Sequence, residues 1–493
     1  MFEDLNEKGV RLTIEAEGLL RANRSEELVR KVLELKKPFI SKDDIEPLLP
    51  KPGTTPKPGT GNTPPWTRDA EPETEVVRPA YFSPLAKEYS ADIKLNHSVD
   101  VTGKSRTKGE VDNFIAHFRN RFERVSRMLR RSGPVPSMDL ADARRRINEK
   151  ARVIVFVSGK RETKKGNLLL DVEDLTGAFK IVISANRNNE KLIDKAKYIM
   201  LDDIIAITGK VFEPYIIAED VEWPELPVIR EKKRAENDVA AAYLSDIHFG
   251  SRYFLGKYLK SFSDWLHGKG EARELAGKVK YICIAGDIVD GIGIYPNQEK
   301  ELVVKDIFEQ YRMFDDFVNG LPDYIEIIAA PGNHDAVRRG EPQPALGKDL
   351  ICADITCVGN PTSLKIEGVR HLLYHGTSMD SMIANIPGAS YMHPERVMVE
   401  YLKRRHLSPL YGGNLIIPEN VDYMVIEDPP DVFHCGHVHK NGYTQYRGTL
   451  VINSGTFQDR TDFQIKQGHV PTPALVPVLE MKGWRLHTLD FKS

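Results

Sequence analysis

The second half of the chain contains eight polar residues of the types that bind metal ions. They fall in five short clusters, each directly after an apolar run: Asp246 and His248; Asp287; Asn333 and His334; His375; His437 and His439. Mixed carboxylate, imidazole and amide ligands suit Mn²⁺, Fe or Zn²⁺. The pattern therefore predicts a site for divalent cations.

The spacing within the clusters allows neighbouring residues to act on one ion. In an extended segment, residues i and i+2 point to the same side. Asp246 and His248 can therefore face one cavity, and so can His437 and His439. Because a carboxylate has two oxygens, Asp287 can bridge two cations about 3.5–4 Å apart. Each cluster alone is common, but all five in this order indicate a functional site.

The apolar runs that precede the clusters predict the strands that position them. From about residue 238 these runs alternate with longer helical stretches. This alternation is typical of an α/β domain with both sheet faces covered. In such sheets the site lies beyond the carboxyl ends of the strands, which is where all five clusters fall. Cys283 and Cys435 lie within the runs and are expected in the core.

Three residues near the clusters are assigned by their positions. His371 lies four residues before His375, but His375 ends the apolar run and precedes a glycine, so we prefer His375 as the ligand. Asp290 and Asp335 follow two of the clusters closely. We expect these two carboxylates to support the ligands through hydrogen bonds.

The overall composition excludes several classes of protein. The 493 residues include 69 Lys and Arg against 71 Asp and Glu, which argues against a free-standing, strongly basic nucleic-acid binder. The 4 cysteines form no CxxC pair, which disfavours a zinc ribbon and favours a reducing compartment. No apolar run of about 18 residues occurs, and the start resembles no signal peptide. We therefore expect a cytoplasmic protein without a membrane-spanning helix.

Changes in composition predict a multidomain α+β protein. Its parts are a small helical interaction module at 1–45, a Pro/Gly-rich flexible linker at 46–80, a basic helical segment at 81–150, an OB-fold β-barrel at 151–237, and the α/β domain at 238–493 with a docking segment at its end.

The barrel is predicted from four or five β-rich runs, with a helical stretch between the third and the fourth. This order is that of the small Greek-key OB barrel. Since OB barrels that bind single strands use exposed aromatic residues, the few aromatic residues here favour a structural or interaction role.

The basic stretch at 104–161 carries 16 basic and 6 acidic residues, an excess of ten positive charges. Much of it is an amphipathic helical pattern at 109–131. The arginines either contact nucleic acid or an acidic partner, or they form a solvated helix face. The sequence leaves both interpretations open.

The five clusters resemble the site of the calcineurin-like metallophosphoesterase superfamily, which includes the Mre11-type nucleases, over roughly residues 240–460. The resemblance implies one metal held by Asp246, His248, Asp287 and His439, and a second held by Asp287, Asn333, His375 and His437. His334 would be the non-ligand histidine that protonates the leaving oxygen or stabilises charge on the phosphoryl group. A hydroxide between the metals would attack phosphorus in line.

Longer segments resemble a narrower family. SDIHFGSRYF, PGNHDAVRRGEPQP, GEVDNFIAHFRNRFERV and GHVHKNGY are similar to the small subunit of archaeal family-D DNA polymerases, and the domain order agrees over nearly the whole chain. The resemblance implies a 3′→5′ proofreading exonuclease that uses two divalent ions. Mn²⁺ is the expected ion, and Mg²⁺, Fe and Zn²⁺ are the alternatives. The implied partners are a large polymerase subunit, single-stranded DNA 3′ ends, and a sliding clamp reached through the complex.

Two other readings compete with this one. An accessory subunit with a silent site is disfavoured because the full ligand set is present, whereas the related eukaryotic small subunits have lost theirs. The other is an independent phosphoesterase, either an Mre11-like nuclease or a protein phosphatase. GDIVDGIG and PGNHD depart from the GDxVDRG and RGNHE patterns of the phosphatases, and a barrel upstream does not fit a simple phosphatase.

Overall fold

The computed structural model describes residues 11–12, 39–40, 82–133, 135–186 and 189–492. The chain divides into two units, Met1–Arg78 and Pro79–Ser493. In the first unit, β1 (Arg11–Leu12) pairs in parallel with β2 (Phe39–Ile40). Apart from these strands, the predicted helical module and the predicted linker lie outside the described residues.

The second unit opens with a strand and two helices that precede the barrel in the chain. These are β3 (Ile93–Leu95), α1 (Val111–Ser132) and α2 (Leu140–Ala143). The predicted amphipathic helix is confirmed as α1. It begins at a capping box between Glu110 and Asn113, and its Phe122, Val125 and Leu129 pack against the barrel strands.

A closed barrel of five strands follows α2. Its elements are β4 (Lys150–Glu162), β5 (Leu168–Asp174), β6 (Gly177–Ile183), α3 (Glu190–Ala196), β7 (Ile204–Phe212) and β8 (Tyr215–Glu222). The strand order is β4-β5-β6-β8-β7, and β4 pairs with β7 to close the barrel. The predicted barrel is thus present, with its helix between the third and fourth strands, while its assignment to the OB class remains a prediction.

The last domain contains the predicted α/β region. In chain order its elements are β9 (Ala240–Leu244), α4 (Gly256–Leu266), α5 (Arg273–Lys278), β10 (Val279–Ala285), α6 (Ile307–Asn319), β11 (Glu326–Ala330), β12 (Thr356–Cys357), β13 (Thr362–Ile366), β14 (Val369–Leu373), α7 (Met379–Asn385), α8 (Pro394–Arg404), β15 (Val432–Cys435), β16 (Asn441–Tyr446), β17 (Thr449–Ser454), α9 (Asp462–Gln467), β18 (Leu475–Glu480) and β19 (Arg485–Asp490).

Together with β3, these strands form two six-stranded sheets, whereas the sequence predicted only that both faces of a sheet are covered. One sheet has the order β12-β11-β10-β9-β18-β19, and the other has the order β16-β17-β15-β14-β13-β3. The sheets pack face to face through residues such as Tyr281 and Val432. Helices α4 and α6 cover the outer face of the first sheet, and α7 and α8 cover the outer face of the second. Every central strand is buried on both faces, so its apolar run looks the same in either arrangement.

The basic helix α1 is fastened to the last domain by its own arginines. The Arg121 side chain is buried and donates to Oδ2 of Asp422 at 2.5 Å and to the carbonyl of Pro409 at 3.1 Å. Arg124 pairs with Glu427 at 2.9 Å. Arg121 therefore does not form the solvated face that was one of the predicted alternatives, since it binds an acidic residue of the same chain.

The predicted docking segment at 471–493 supplies β18 and β19 of the first sheet, and β18 pairs with the central strand β9. Its docking role remains a prediction. None of the helices in the described ranges combines the length and apolar composition that crossing a bilayer requires.

Candidate metal centre

The five predicted clusters meet at the carboxyl ends of strands from both sheets. Asp246 and His248 follow β9, Asp287 follows β10, and Asn333 and His334 follow β11. His375 follows β14 of the second sheet, and His437 and His439 follow β15. Because β9, β10 and β11 are parallel within one sheet and β14 and β15 within the other, their ends converge on one site.

The backbone at the site adopts conformations that side-chain-bearing residues rarely use. Positive φ angles occur at Asp246 (49°), His248 (57°), Asp287 (51°), His437 (72°) and His439 (54°). Each such conformation costs on the order of 1–3 kcal/mol and persists only where the surrounding structure enforces it. Five of the seven predicted ligands share this feature.

Asp246, His248 and His439 form the first group of possible ligands. Their nearest ligand atoms all lie within 4.8 Å of one another, and Nε2 of His439 is 3.4 Å from Oδ1 of Asp246. The Nε2 atoms of His248 and His439 are 3.1 Å apart. On its other side, Nδ1 of His248 donates to Oδ1 of Asp290 at 3.0 Å, which directs Nε2 of His248 into the site, where the neutral ring can bind a cation.

The second group gathers around Asn333. Its Oδ1 lies 2.9 Å from Nε2 of His375 and 3.1 Å from Nδ1 of His437. Nδ1 of His375 donates to the carbonyl of Ala285 at 2.8 Å, which directs Nε2 into the site. The alternative, His371, is buried between the sheets and bonds the hydroxyl of Tyr243 at 2.9 Å, so the geometry agrees with the preference for His375.

Asp287 connects the two groups. Its Oδ2 lies 3.3 Å from Nε2 of His375 and 3.9 Å from Nε2 of His248. Burial opposes the ionised form of Asp287, but the neighbouring His375 and His334 outweigh it and hold the pKa of this carboxyl well below its usual value. Conversely, burial disfavours the charged form of His375, yet Asp287 raises its pKa to about 10. An oxygen placed between two histidines in this way suits a bridging ligand.

His334 stands beside the ligand groups. Its backbone N–H donates to Oδ1 of Asp287 at 2.8 Å, and its Nδ1 lies 2.8 Å from the carbonyl of Asp290. A carbonyl can only accept, so Nδ1 carries the hydrogen and Nε2 is the nitrogen left for a substrate. Burial outweighs the nearby Asp287 carboxylate and lowers the pKa of the His334 imidazole.

The two carboxylates expected to support the ligands do so by different routes. Asp290 bonds His248 directly and also accepts from Gln458 at 3.0 Å. Asp335 accepts from three backbone N–H groups, those of Gly332 (2.7 Å), Ile288 (3.3 Å) and Val289 (3.3 Å). Asp290 therefore orients a ligand, whereas Asp335 braces the loops that carry ligands.

The site opens into a cavity of about 270 Å³. Among its lining residues, sequence reasoning missed Tyr295, Asp380, Tyr391, Gln464 and His469. Oδ2 of Asp380 lies 3.1 Å from Nε2 of His437. Burial favours the neutral form of Asp380, but His437 lowers its pKa to about 2.

Gln464 contacts Nδ1 of His439 at 2.8 Å. Asp380 lies at the start of α7, and Gln464 lies in α9. Neither residue follows an apolar run, so the signal that identified the ligands is absent at both positions.

The paired sheets and the convergent donor set define a class of protein. Residues 241–441 match the family model described as calcineurin-like phosphoesterase. The last domain is therefore a phosphoesterase domain of this class, as the sequence resemblance implied.

Curated relatives narrow the identification. DNA polymerase II small subunits from Methanocaldococcus jannaschii and Archaeoglobus fulgidus are each 40% identical to this chain, and the one from Methanothermobacter thermautotrophicus is 37% identical. The alignments cover 83%, 83% and 82% of this chain, and 70%, 84% and 86% of the respective relatives. The chain belongs to the family of DNA polymerase II small subunits.

Proposed function

We propose that this chain is the 3′→5′ exonuclease subunit of a replicative DNA polymerase and proofreads by hydrolysing DNA phosphodiester bonds. The observation that carries the proposal is the convergence of all eight predicted site residues, from two sheets, on one open cavity. Six of them line the cavity. Of the other two, Asp246 contacts the lining residue His439, and His375 contacts the lining residue Asn333.

The donor set fits two divalent ions. Asp246, His248, Asp287 and His439 would hold one ion, and Asp287, Asn333, His375 and His437 the other. Their mixture of imidazole, carboxylate and amide atoms suits Mn²⁺, the ion we propose, and also accommodates Mg²⁺, Fe or Zn²⁺. Bound there, the ions would supply Lewis acidity and an activated water.

The chain's own residues complete the reaction machinery. The carbonyl of Asp290 holds the His334 ring with Nε2 available to the substrate. In its protonated form, with a hydrogen on Nε2 as well, His334 would protonate the leaving oxygen or stabilise the charge that develops on the phosphoryl group. The Asp287 carboxylate fixes the His334 backbone through its other oxygen, which aligns the histidine with the metal donors.

Two features argue against the competing readings. Five of the proposed ligands have strained backbone conformations, and strain of this kind clusters at functional sites. This strain would serve no purpose in an accessory subunit with a silent site. An independent Mre11-like nuclease or a phosphatase is disfavoured by family membership and by the barrel that α1 fastens to the phosphoesterase domain.

The proposed assembly follows from the family. Because the relatives are named small subunits, we propose a large catalytic polymerase subunit as partner, single-stranded DNA 3′ ends as substrate, and a sliding clamp reached through the complex. We assign the barrel to the OB class from its strand order and its helix position. A cytoplasmic location remains a prediction.

The test is digestion of 3′-labelled single-stranded and mismatched DNA with Mn²⁺, using the full chain in complex with its large subunit. Wild type should shorten the DNA from the 3′ end, and His334→Ala and Asp287→Ala should not. His97→Ala and Asp354→Ala, at exposed positions away from the site, are the matched controls. Equal cleavage by all five proteins would overturn the site assignment, and release of nucleotides from the 5′ end would overturn the polarity.

A further inference from the structure

One wall of the cavity is aromatic. The rings of Tyr391 and His469 lie with their centroids 3.9 Å apart and their planes inclined by 35°. Both side chains are partly buried and both line the cavity beside His437. None of the predicted ligands accounts for this pair, and the reaction proposed above does not use it.

The aromatic pair is held at a fixed distance from the metal donors. The hydroxyl of Tyr391 donates to Oδ1 of Asp380 at 3.0 Å, and the other oxygen of Asp380 lies 3.1 Å from His437. Part of Tyr391 also packs against the core that α7 and α8 form on the second sheet. Packing therefore holds one side of the Tyr391 ring. On the other side, its hydroxyl is held by Asp380, which also contacts the candidate ligand His437.

The surface around the pair suits an apolar, planar ligand. Met392 and Val470 directly follow the two ring residues in the sequence, and they are 43% and 48% exposed. Nζ of Lys440 donates to the carbonyl of Val470 at 3.2 Å, which fastens the loop that carries His469. A fastened loop that presents exposed apolar groups beside a polar centre has the character of a binding surface.

We infer that Tyr391 and His469 form the subsite for the base of the 3′-terminal nucleotide. The inference rests on the proposed function, because it places the scissile phosphate at the metal donors. Aromatic side chains bind the bases of single strands by stacking, with little dependence on sequence. A nucleotide whose phosphate lies at the metal donors can place its base on this wall, since only Asp380 separates the Tyr391 hydroxyl from the ligand His437.

This subsite would also select the substrate. A base that is paired and stacked in a duplex cannot lie against Tyr391, whereas a mismatched or single-stranded terminal base can leave the helix at lower cost. The aromatic wall therefore supplies a physical reason for preferring unpaired 3′ ends, which is what a proofreading nuclease requires.

The test compares two single-stranded oligonucleotides that differ only at the 3′-terminal residue, one with a base and one abasic. For wild type, kcat/KM for removal of that residue should be about tenfold higher with the base present, in keeping with the usual strength of base stacking. Tyr391→Ala should reduce this preference to near unity, and Tyr391→Phe, which keeps the ring, should retain most of it. Tyr443→Ala, at an exposed tyrosine outside the cavity, is the control.

A second readout does not depend on cleavage. An oligonucleotide with 2-aminopurine at its 3′ end should lose fluorescence when the cleavage-deficient His334→Ala protein binds it with Mn²⁺, because stacking quenches this base. In the same His334→Ala background, the quench should be lost when His469→Ala or Tyr391→Ala is added and retained when His469→Tyr is added. If wild type degrades neither oligonucleotide, the proposed function fails. If wild type degrades both and the variants keep the preference and the quench, the base subsite fails and the proposed function stands.

Discussion

The backbone N–H of His334 donates a hydrogen bond of 2.8 Å to Oδ1 of Asp287, and Oδ2 of the same carboxylate faces His375 and His248. One side chain thus joins the two groups of candidate metal ligands and also positions the histidine proposed to act on the substrate. A change at Asp287 should disturb both functions, whereas a change in the His334 ring should disturb only one.

This relationship predicts a separation between metal binding and cleavage. His334→Ala should reduce the rate of DNA cleavage by about 10²–10⁴-fold, the usual contribution of a proton-transferring side chain, while Mn²⁺ affinity stays unchanged. Asp287→Asn should lose both, because it removes the charge of the bridging carboxylate. Isothermal titration with Mn²⁺ and a cleavage assay on the same preparations measure the two quantities.

If His334→Ala lost Mn²⁺ binding as completely as Asp287→Asn, His334 would be a ligand and not a substrate-facing residue. If Asp287→Asn bound two ions with wild-type affinity, the bridging role would be wrong.

The convergence of the candidate ligands could be predicted from the sequence because each one follows an apolar strand. Parallel strands bring their carboxyl ends together, so residues such as Asp246 and His437 converge although 191 positions separate them. The division into two sheets could not be predicted, because a strand covered by a sheet and a strand covered by helices have the same apolar run.

Other parts of the site depend on packing that leaves no local pattern. Asp380 reaches His437 from the first turn of α7, and His469 reaches Tyr391 from the loop after α9. Charge counting also failed to distinguish the arginines of α1, since the partner of Arg121 lies 301 residues away in the sequence. Excess charge along a segment cannot reveal which cations the folded chain neutralises internally.

The hydrogen bond from Nδ1 of His248 to Asp290, 3.0 Å long, predicts an effect on metal affinity. Asp290→Asn replaces a charged acceptor by a neutral amide and should weaken Mn²⁺ binding about 10–100-fold, the range usual for residues that orient a ligand. Isothermal titration measures the affinity.

Asp335→Asn provides the comparison for Asp290→Asn. Asp335 accepts three backbone N–H groups and contacts no ligand side chain. Its replacement should cost about 1–3 kcal/mol of stability by leaving buried donors unpaired, with a smaller effect on Mn²⁺ affinity. The reverse ranking of the two variants in Mn²⁺ affinity would contradict the division between orienting and bracing carboxylates.

At two glycines beside the site, the atoms around Cα leave no room for a side chain, so a Gly→Ala substitution should disable the site. A Cβ at Gly332 would lie closer than 3.0 Å to Oδ1 of Asp287, and a Cβ at Gly436 would lie equally close to Oδ2 of Asp246. Neither oxygen can move without displacing a metal donor, so Gly332→Ala and Gly436→Ala should abolish cleavage while overpacking costs about 1–3 kcal/mol of stability. Cleavage and urea denaturation measure the two effects.

Gly483→Ala is the matched control for these glycines. Its Cβ would meet only Cγ of Arg485, at an ordinary distance of 3.9 Å. Cleavage by this variant should equal that of wild type. Full activity in Gly332→Ala would show that the Asp287 loop tolerates movement and would contradict the rigid placement described here.

The buried pair of Arg121 and Asp422 predicts a large effect on stability. Burial opposes the charge on Asp422, but Arg121, with His406 and His117, holds the pKa of this carboxyl well below its usual value. Arg121→Met would leave the carboxylate without its main partner, and removing one partner of a buried pair typically costs about 3–5 kcal/mol. Arg127→Met, at an exposed position of the same helix, should change stability by less than about 0.5 kcal/mol.

Urea denaturation of both variants checks this prediction. Arg121→Met/Asp422→Leu should recover part of the loss, because no buried charge is then left unpaired. A loss in Arg121→Met no greater than that in Arg127→Met would mean that α1 is not fastened through this pair.

The same cluster predicts how stability depends on pH. Burial lowers the pKa of His406 to about 4, and the nearby Arg121 acts in the same direction. The hydrogen bonds agree, since Nε2 of His406 donates to Asp422 at 2.9 Å while Nδ1 accepts the N–H of Ser408 at 3.0 Å. Protonation of Nδ1 would break the second bond, so the folded protein holds this imidazole neutral.

The sign of the effect follows from the two states. The unfolded chain protonates this histidine near pH 6.5, while the folded chain resists protonation down to about pH 4. Between these values the unfolded state binds more protons, so the stabilisation is complete above pH 6.5 and is lost progressively as the pH falls. His406→Gln, which has no titrating group, should therefore flatten the decline in unfolding free energy over this window by roughly 2–3 kcal/mol.

Urea denaturation at a series of pH values measures the slope, and His97→Gln, at an exposed site, should retain the wild-type slope. An unchanged slope in His406→Gln would show that His406 takes up its proton in the folded state as readily as in the unfolded one, and that the contacts between α1 and the phosphoesterase domain do not depend on its neutral form.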